Sequence, residues 1–115
     1  GLLATEILLN KPELFNNYFI ISPSLWWDDE SLLKNANHLL SKSSDTKKFV
    51  YISVGKGEHP VMVKDAEDFY NILQKSKKKN WTVEYKMMDL DNHATILHRS
   101  LYEGLVKLFP YQEPK

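Results

Sequence analysis

The chain contains no cysteine, which excludes disulfides, thiolate metal sites and a cysteine nucleophile. It has no excess of either charge, with Lys+Arg 15 against Asp+Glu 15. No overall field therefore draws it toward nucleic acid or an anionic membrane surface. No run of residues approaches the ~18 apolar positions of a membrane span, so none is expected here. The His-Glu-x-x-His pattern of zinc hydrolases is absent. His93 and His98, placed on one helix, would point about 140° apart, so no metal site is expected. Gly55-Lys56-Gly57 suggests a phosphate cradle but has neither the spacing nor the following Ser/Thr of a Walker loop. No residue pattern demands a cofactor. The basic run Lys75-Ser76-Lys77-Lys78-Lys79 has no aromatic interleaving and reads as a solvated helix end favoured by the macrodipole.

What is present is ordinary for a globular domain: 115 residues, 43% hydrophobic and 26% charged, enough for one modest core. Leu2, Leu3, Ile7 and Leu8 have helical spacing, and this helix should stop near Asn10, ahead of Pro12. The opening Gly1–Leu9 reads as the middle of a helix with no capping residue before it, so residues 1–115 are expected to be a fragment of a longer protein. Tyr18-Phe19-Ile20-Ile21 is a short, continuously apolar strand of the kind covered on both faces. It runs into a loop at Ser22-Pro23-Ser24-Leu25-Trp26-Trp27, because Pro23 cannot join a ladder. The paired tryptophans there suit either a lid over the core or a pocket wall.

Leu32, Leu33, Ala36, Leu39 and Leu40 predict the next helix, with Asp29 or Ser31 as its cap. A polar linker at Ser41–Thr46 then leads to Phe49-Val50-Tyr51-Ile52-Ser53-Val54, which carries the strongest strand signal. After the Gly55–Pro60 turn, Val61, Ala66, Phe69, Tyr70 and Leu73 mark a further helix. Trp81, Val83, Tyr85 and Met87 alternate with Thr82, Glu84, Lys86 and Met88, which predicts a strand with one wet face at a sheet edge. Ile96 or Leu97, Leu101, Leu105 and Leu108 predict a last amphipathic helix, stopped by Pro110. Alternating helices and strands imply an α/β fold of about three parallel strands, near 18–22, 48–54 and 81–88, with flanking helices.

In such a sheet the chemistry lies outside the carboxyl ends of the strands. Two loops at that edge hold titratable groups: Glu58 and His59 after the middle strand, and Asp89, Asp91 and His93 after the last. A histidine there can exchange a proton near neutral pH. An acid followed one βα unit later by a histidine is the chain order of the α/β-hydrolase triad, in which serine comes first. The carboxylate orients the imidazole and stabilises the imidazolium formed when it takes the nucleophile's proton. His59 adjoins Glu58 and reads as a neighbour of such a pair rather than its base.

Gly1-Leu2-Leu3-Ala4, Leu9-Asn10-Lys11-Pro12-Glu13-Leu14-Phe15 and Ile21-Ser22-Pro23-Ser24-Leu25-Trp26-Trp27 resemble a group of α/β hydrolases. That group takes in enterochelin-type siderophore esterases, esterase D and feruloyl or acetylxylan esterases. Ser53-Val54-Gly55-Lys56-Gly57-Glu58 and Asp91-Asn92-His93-Ala94-Thr95 resemble its acid and histidine loops. The resemblance implies a serine carboxylic-ester hydrolase acting on a small-molecule ester. His93 would be the general base and Glu58 its orienting acid, with Asp89 and Asp91 as alternative acids. Trp26 and Trp27 would line the acyl or leaving-group side of the pocket. The resemblance implies that residues 1–115 are the C-terminal fragment of a single α/β-hydrolase domain, and the family's Gly-His-Ser-x-Gly-Gly elbow runs directly into a helix like residues 1–10. If Gly1 is the elbow's last glycine, the nucleophile and the oxyanion-hole strands precede this chain, and the chain alone is expected to be inactive. Ser22, Ser24 and Ser53 do not sit in such an elbow. The alternative is a non-catalytic α/β binding or interaction module on the same scaffold. Either way, Tyr18–Ile21 would present an unpaired apolar edge, which favours self-association there.

Overall fold

The computed structural model describes residues 1–43, 45–76 and 78–111. Among these described residues the elements are α1 (Leu2–Asn10), β1 (Asn17–Ile21), α2 (Trp27–Ser41), β2 (Lys48–Gly55), α3 (Pro60–Lys75), β3 (Trp81–Met88) and α4 (Ile96–Leu108), with a 3₁₀ turn at Pro12–Leu14 between α1 and β1. The strands form one parallel sheet in the order β1-β2-β3, with Ile20 opposite Ile52, Val50 opposite Val83 and Gly55 opposite Met88. The predicted strands and helices are therefore all present, and β3 is an edge strand as its alternation implied. Lys77 of the basic run and Ser44 of the polar linker lie outside the described residues.

Strand alternation sorts β2 between two clusters. Val50, Ile52 and Val54 face the larger one with Leu8, Leu40 and Phe69 from α1, α2 and α3. Tyr51 faces the other way, against Met88 and Ile96, with Phe19 and Phe49 partly buried beside it. Burial, together with the nearby Glu103 and Glu84 carboxylates, pushes the Tyr51 phenol up to about 12. Met88, expected on the wet face of β3, is buried because α4 begins over it. The buried ammonium of Lys48 donates to the carbonyls of Pro12 (2.6 Å) and Phe15 (2.9 Å), tying the α1–β1 connector to the start of β2.

Three local expectations are corrected. The inward residues of α4 are Ile96, Ser100 and Gly104, whereas Leu97, Leu101 and Leu105 are largely exposed. The reason is closeness: a Cβ on Gly104 would lie 2.9 Å from the Phe19 ring and 3.1 Å from that of Tyr51. Only small side chains let the helix approach, and Ser100 adds a buried hydroxyl contact to Ser53 at 2.7 Å. Neither Asp29 nor Ser31 caps α2, which has no side-chain cap at all. Its entry is a left-handed turn at Asp28, Asp29 and Glu30, and Asp29 pairs instead with Lys34 at 3.0 Å. The tryptophans are not a lid over the core. Leu25 is completely buried in their place, while Trp26 and Trp27 remain 49% and 57% exposed.

Candidate active site

The turns that follow β2 and β3 are locked together. Lys56 N–H donates to the Met88 carbonyl (2.9 Å) and Gly57 N–H to that of Asp91 (3.0 Å). Gly55 is required by this approach, since a Cβ there would stand 2.5 Å from the Asp91 carbonyl oxygen. The locking brings Glu58 to His93 across 35 residues of sequence, with His93 Nδ1 and Glu58 Oε1 2.8 Å apart. The glutamate side chain is fully buried and that of the histidine largely open. A carboxylate offers only acceptors, so His93 carries its proton on Nδ1. In the neutral ring Nε2 is then the lone-pair acceptor, and it has no hydrogen-bond partner among the described residues.

The other carboxylate oxygen is also occupied. Glu58 Oε2 accepts from the Gly55 backbone N–H at 2.6 Å and from the Ser22 hydroxyl at 2.7 Å. Ser22 comes from the carboxyl end of β1, where its N–H also continues the sheet by donating to the Ser53 carbonyl at 2.8 Å. All three strands thus contribute to one site at the edge where a parallel sheet places its chemistry.

The remaining candidates sit elsewhere. Asp91 is buried, but its Oδ1 accepts from Thr95 Oγ1 at 2.9 Å and its Oδ2 lies 2.6 Å from Arg99 Nε, an ion pair whose N–H is not aligned as a hydrogen bond. Asp89 is exposed in the turn after β3. His59 caps α3, its Nδ1 accepting from the Val61 N–H at 3.2 Å. His93 opens onto a cleft of ≈ 650 Å³, whose lining includes Gly1, Leu3, Phe19, Ser24 and Leu97. Trp26 and Trp27 are outside that lining. Among the described residues no group of three or more His, Asp or Glu could hold a metal ion, and no helix is long and apolar enough to cross a membrane.

Sequence reasoning missed two residues. Ser22 could have been noticed as a polar residue at the catalytic end of β1, directly before a proline. Asp65 is completely buried in α3 and has no donor. It shares a helix face with Phe69 and Leu73, so the spacing had placed a carboxyl on the core side. Burial, followed by contact with the Glu30 carboxyl, pushes Asp65 up to about 6.

No protein-family model matches the chain. It is 26% identical over 102 residues to the ferri-bacillibactin esterase BesA of Bacillus subtilis, covering 84% of this chain and 35% of that protein. It is 29% identical over 108 residues to a siderophore enterobactin esterase of Emericella nidulans, covering 90% and 34%. The chain therefore spans about a third of the length of the curated relatives it matches. Among solved structures, an IroE-like serine hydrolase from Shewanella oneidensis superposes with a TM-score of 0.82 at 22% identity, over 93% of this chain and 36% of that one. The chain is thus similar to siderophore esterases over most of its own length, and its three-stranded parallel sheet with flanking helices has the α/β arrangement of the serine hydrolase on which it superposes.

Proposed function

We propose that the chain supplies the acid–histidine half of a serine esterase site, Glu58 orienting His93 as general base. The observation that carries this reading is the 2.8 Å contact between a buried carboxylate and an imidazole whose other nitrogen opens on a cleft. The nucleophilic serine would come from residues of the parent polypeptide preceding Gly1, which lines the same cleft. In attack, Nε2 takes the hydroxyl proton while the serine oxygen bonds the ester carbonyl carbon. The imidazolium, stabilised by Glu58, then returns the proton to the departing alcohol. Water repeats the sequence on the acyl-enzyme. The names of the relatives suggest a siderophore ester as substrate. Trp26 and Trp27 lie outside the cleft lining but are exposed just beyond Ser24, where they would meet the part of a substrate that extends past the cleft.

The test is hydrolysis of p-nitrophenyl acetate and of enterobactin by the parent polypeptide and by residues 1–115 alone. The parent enzyme should lose about 10³-fold or more in kcat on His93→Ala, and residues 1–115 alone should show no His93-dependent turnover. A parent sequence with no serine elbow would instead support a binding module, and turnover indifferent to His93→Ala would remove His93 as the base. The free edge of β1 is proposed to pair two copies when residues 1–115 are alone. A strictly monomeric mass in light scattering at high concentration would count against that pairing.

A further inference from the structure

We infer that Ser22 is a positioning residue for the Glu58–His93 pair, fixing the Glu58 carboxylate relative to the sheet so that Oε1 addresses His93 Nδ1. The inference rests on the acid–histidine reading above and concerns a residue to which that chemistry gives no direct part. The terminal torsion of a glutamate is broad, so the carboxylate plane is set by what holds its oxygens. Oε2 has two anchors. One is the Gly55 N–H, three residues away in the same turn, which moves with Glu58. The other is the Ser22 hydroxyl, 36 residues away on a different strand. Among the described residues Ser22 alone ties Oε2 to β1.

Its backbone supports the same conclusion. Ser22 has φ 47, in the left-handed region that non-glycine residues seldom occupy. Glycine would accept that conformation without strain. A role confined to turning the chain into Pro23 would therefore be served better by glycine, and the serine is explained by its hydroxyl. Strained residues of this kind persist where the surrounding structure uses them. The hydroxyl is buried, and the fully buried Glu58 carboxylate depends on such donors.

The experiment compares Ser22→Ala and Ser22→Gly. In residues 1–115, ¹⁵N spectra of the His93 ring should show the Nδ1–H tautomer, shifting toward Nε2–H in both variants while the backbone amide spectrum is retained. In the parent enzyme both variants should lower kcat about tenfold, with KM within about twofold, since one hydrogen bond to a charged group is lost. Ser22→Ala removes only the hydroxyl, and Ser22→Gly is decisive because it removes the hydroxyl while also relieving the backbone. Unchanged tautomer and kcat in that variant overturn the inference, even if ester hydrolysis requires His93. A tautomer shift in both variants upholds it, even if hydrolysis proves independent of His93 and the esterase reading falls.

Discussion

Glu58 and Asp65 are both buried carboxylates, one in the turn ahead of α3 and the other within that helix, yet their surroundings are opposite. Glu58 meets donors from all three strands' carboxyl ends: the Ser22 hydroxyl, the Gly55 N–H and the His93 ring. Asp65 meets none and faces another carboxyl, that of Glu30, with which it can bond only by sharing a proton. Loop ends of a parallel sheet supply N–H and hydroxyl groups that point outward beyond the last ladder bond. The interior of a helix layer supplies none, because its backbone groups are already paired. A buried acid at the sheet edge can therefore serve chemistry, whereas the same group in the helix layer stores strain. That strain adjoins the left-handed turn at Asp28–Glu30.

The comparison can be broken most directly by activity. On the proposed esterase reading, Glu58→Gln should lower the kcat of the serine-bearing protein by about 10³-fold, as expected when an acid no longer holds the histidine tautomer. Asp65→Asn should stay within about twofold, by steady-state kinetics on the same ester. Equal losses would show that the two sites are not functionally distinct.

Gly55→Ala sharpens the structural side. Its Cβ would meet the Asp91 carbonyl oxygen at 2.5 Å, so the two turns must part, and urea denaturation should show a loss of about 3 kcal/mol. Gly57→Ala, at 3.2 Å from the same oxygen, should lose less.

Asp65→Asn should instead stabilise the fold. The native carboxyl titrates at about 6 against an ordinary 3.8, so the native state holds a proton that the unfolded state has released across that window. Stability is thus fullest below the lower value and falls as pH rises through the upper one. Asparagine does not titrate. The gain should be about 2–3 kcal/mol at pH 7 and nearly absent at pH 4, read from denaturation curves at both. A gain of equal size at both pH values would disprove the strain at Asp65.

The smallest effect belongs to Asp91, whose partner Arg99 is 53% exposed. Asp91→Ala should lose about 1 kcal/mol of stability, with kcat changed only a fewfold. A thousandfold loss would identify Asp91, not Glu58, as the functional acid.

Local pattern was enough for the strands and helices. β2 is a continuous apolar run and β3 alternates, and each periodicity reflects how many faces of the strand are covered. His93 was legible for a similar reason, because the passage from strand to helix places it at the sheet edge. Helix faces were less legible. In α4 the leucines mark the more apolar stripe, but Ser100 and Gly104 face the sheet, since approach distance outweighed hydrophobicity there. The choice among Glu58, Asp89 and Asp91 was not local at all. It depends on Gly55 packing against Asp91 and on which loop carboxyl that contact leaves facing the imidazole. Ser22 and Asp65 belong to the same class. Each is an ordinary polar residue in sequence, and only the tertiary placing of Ser22 beside the turn before α3, and of Glu30 beside α3 itself, gives one a carboxylate to hold and leaves the other without a donor.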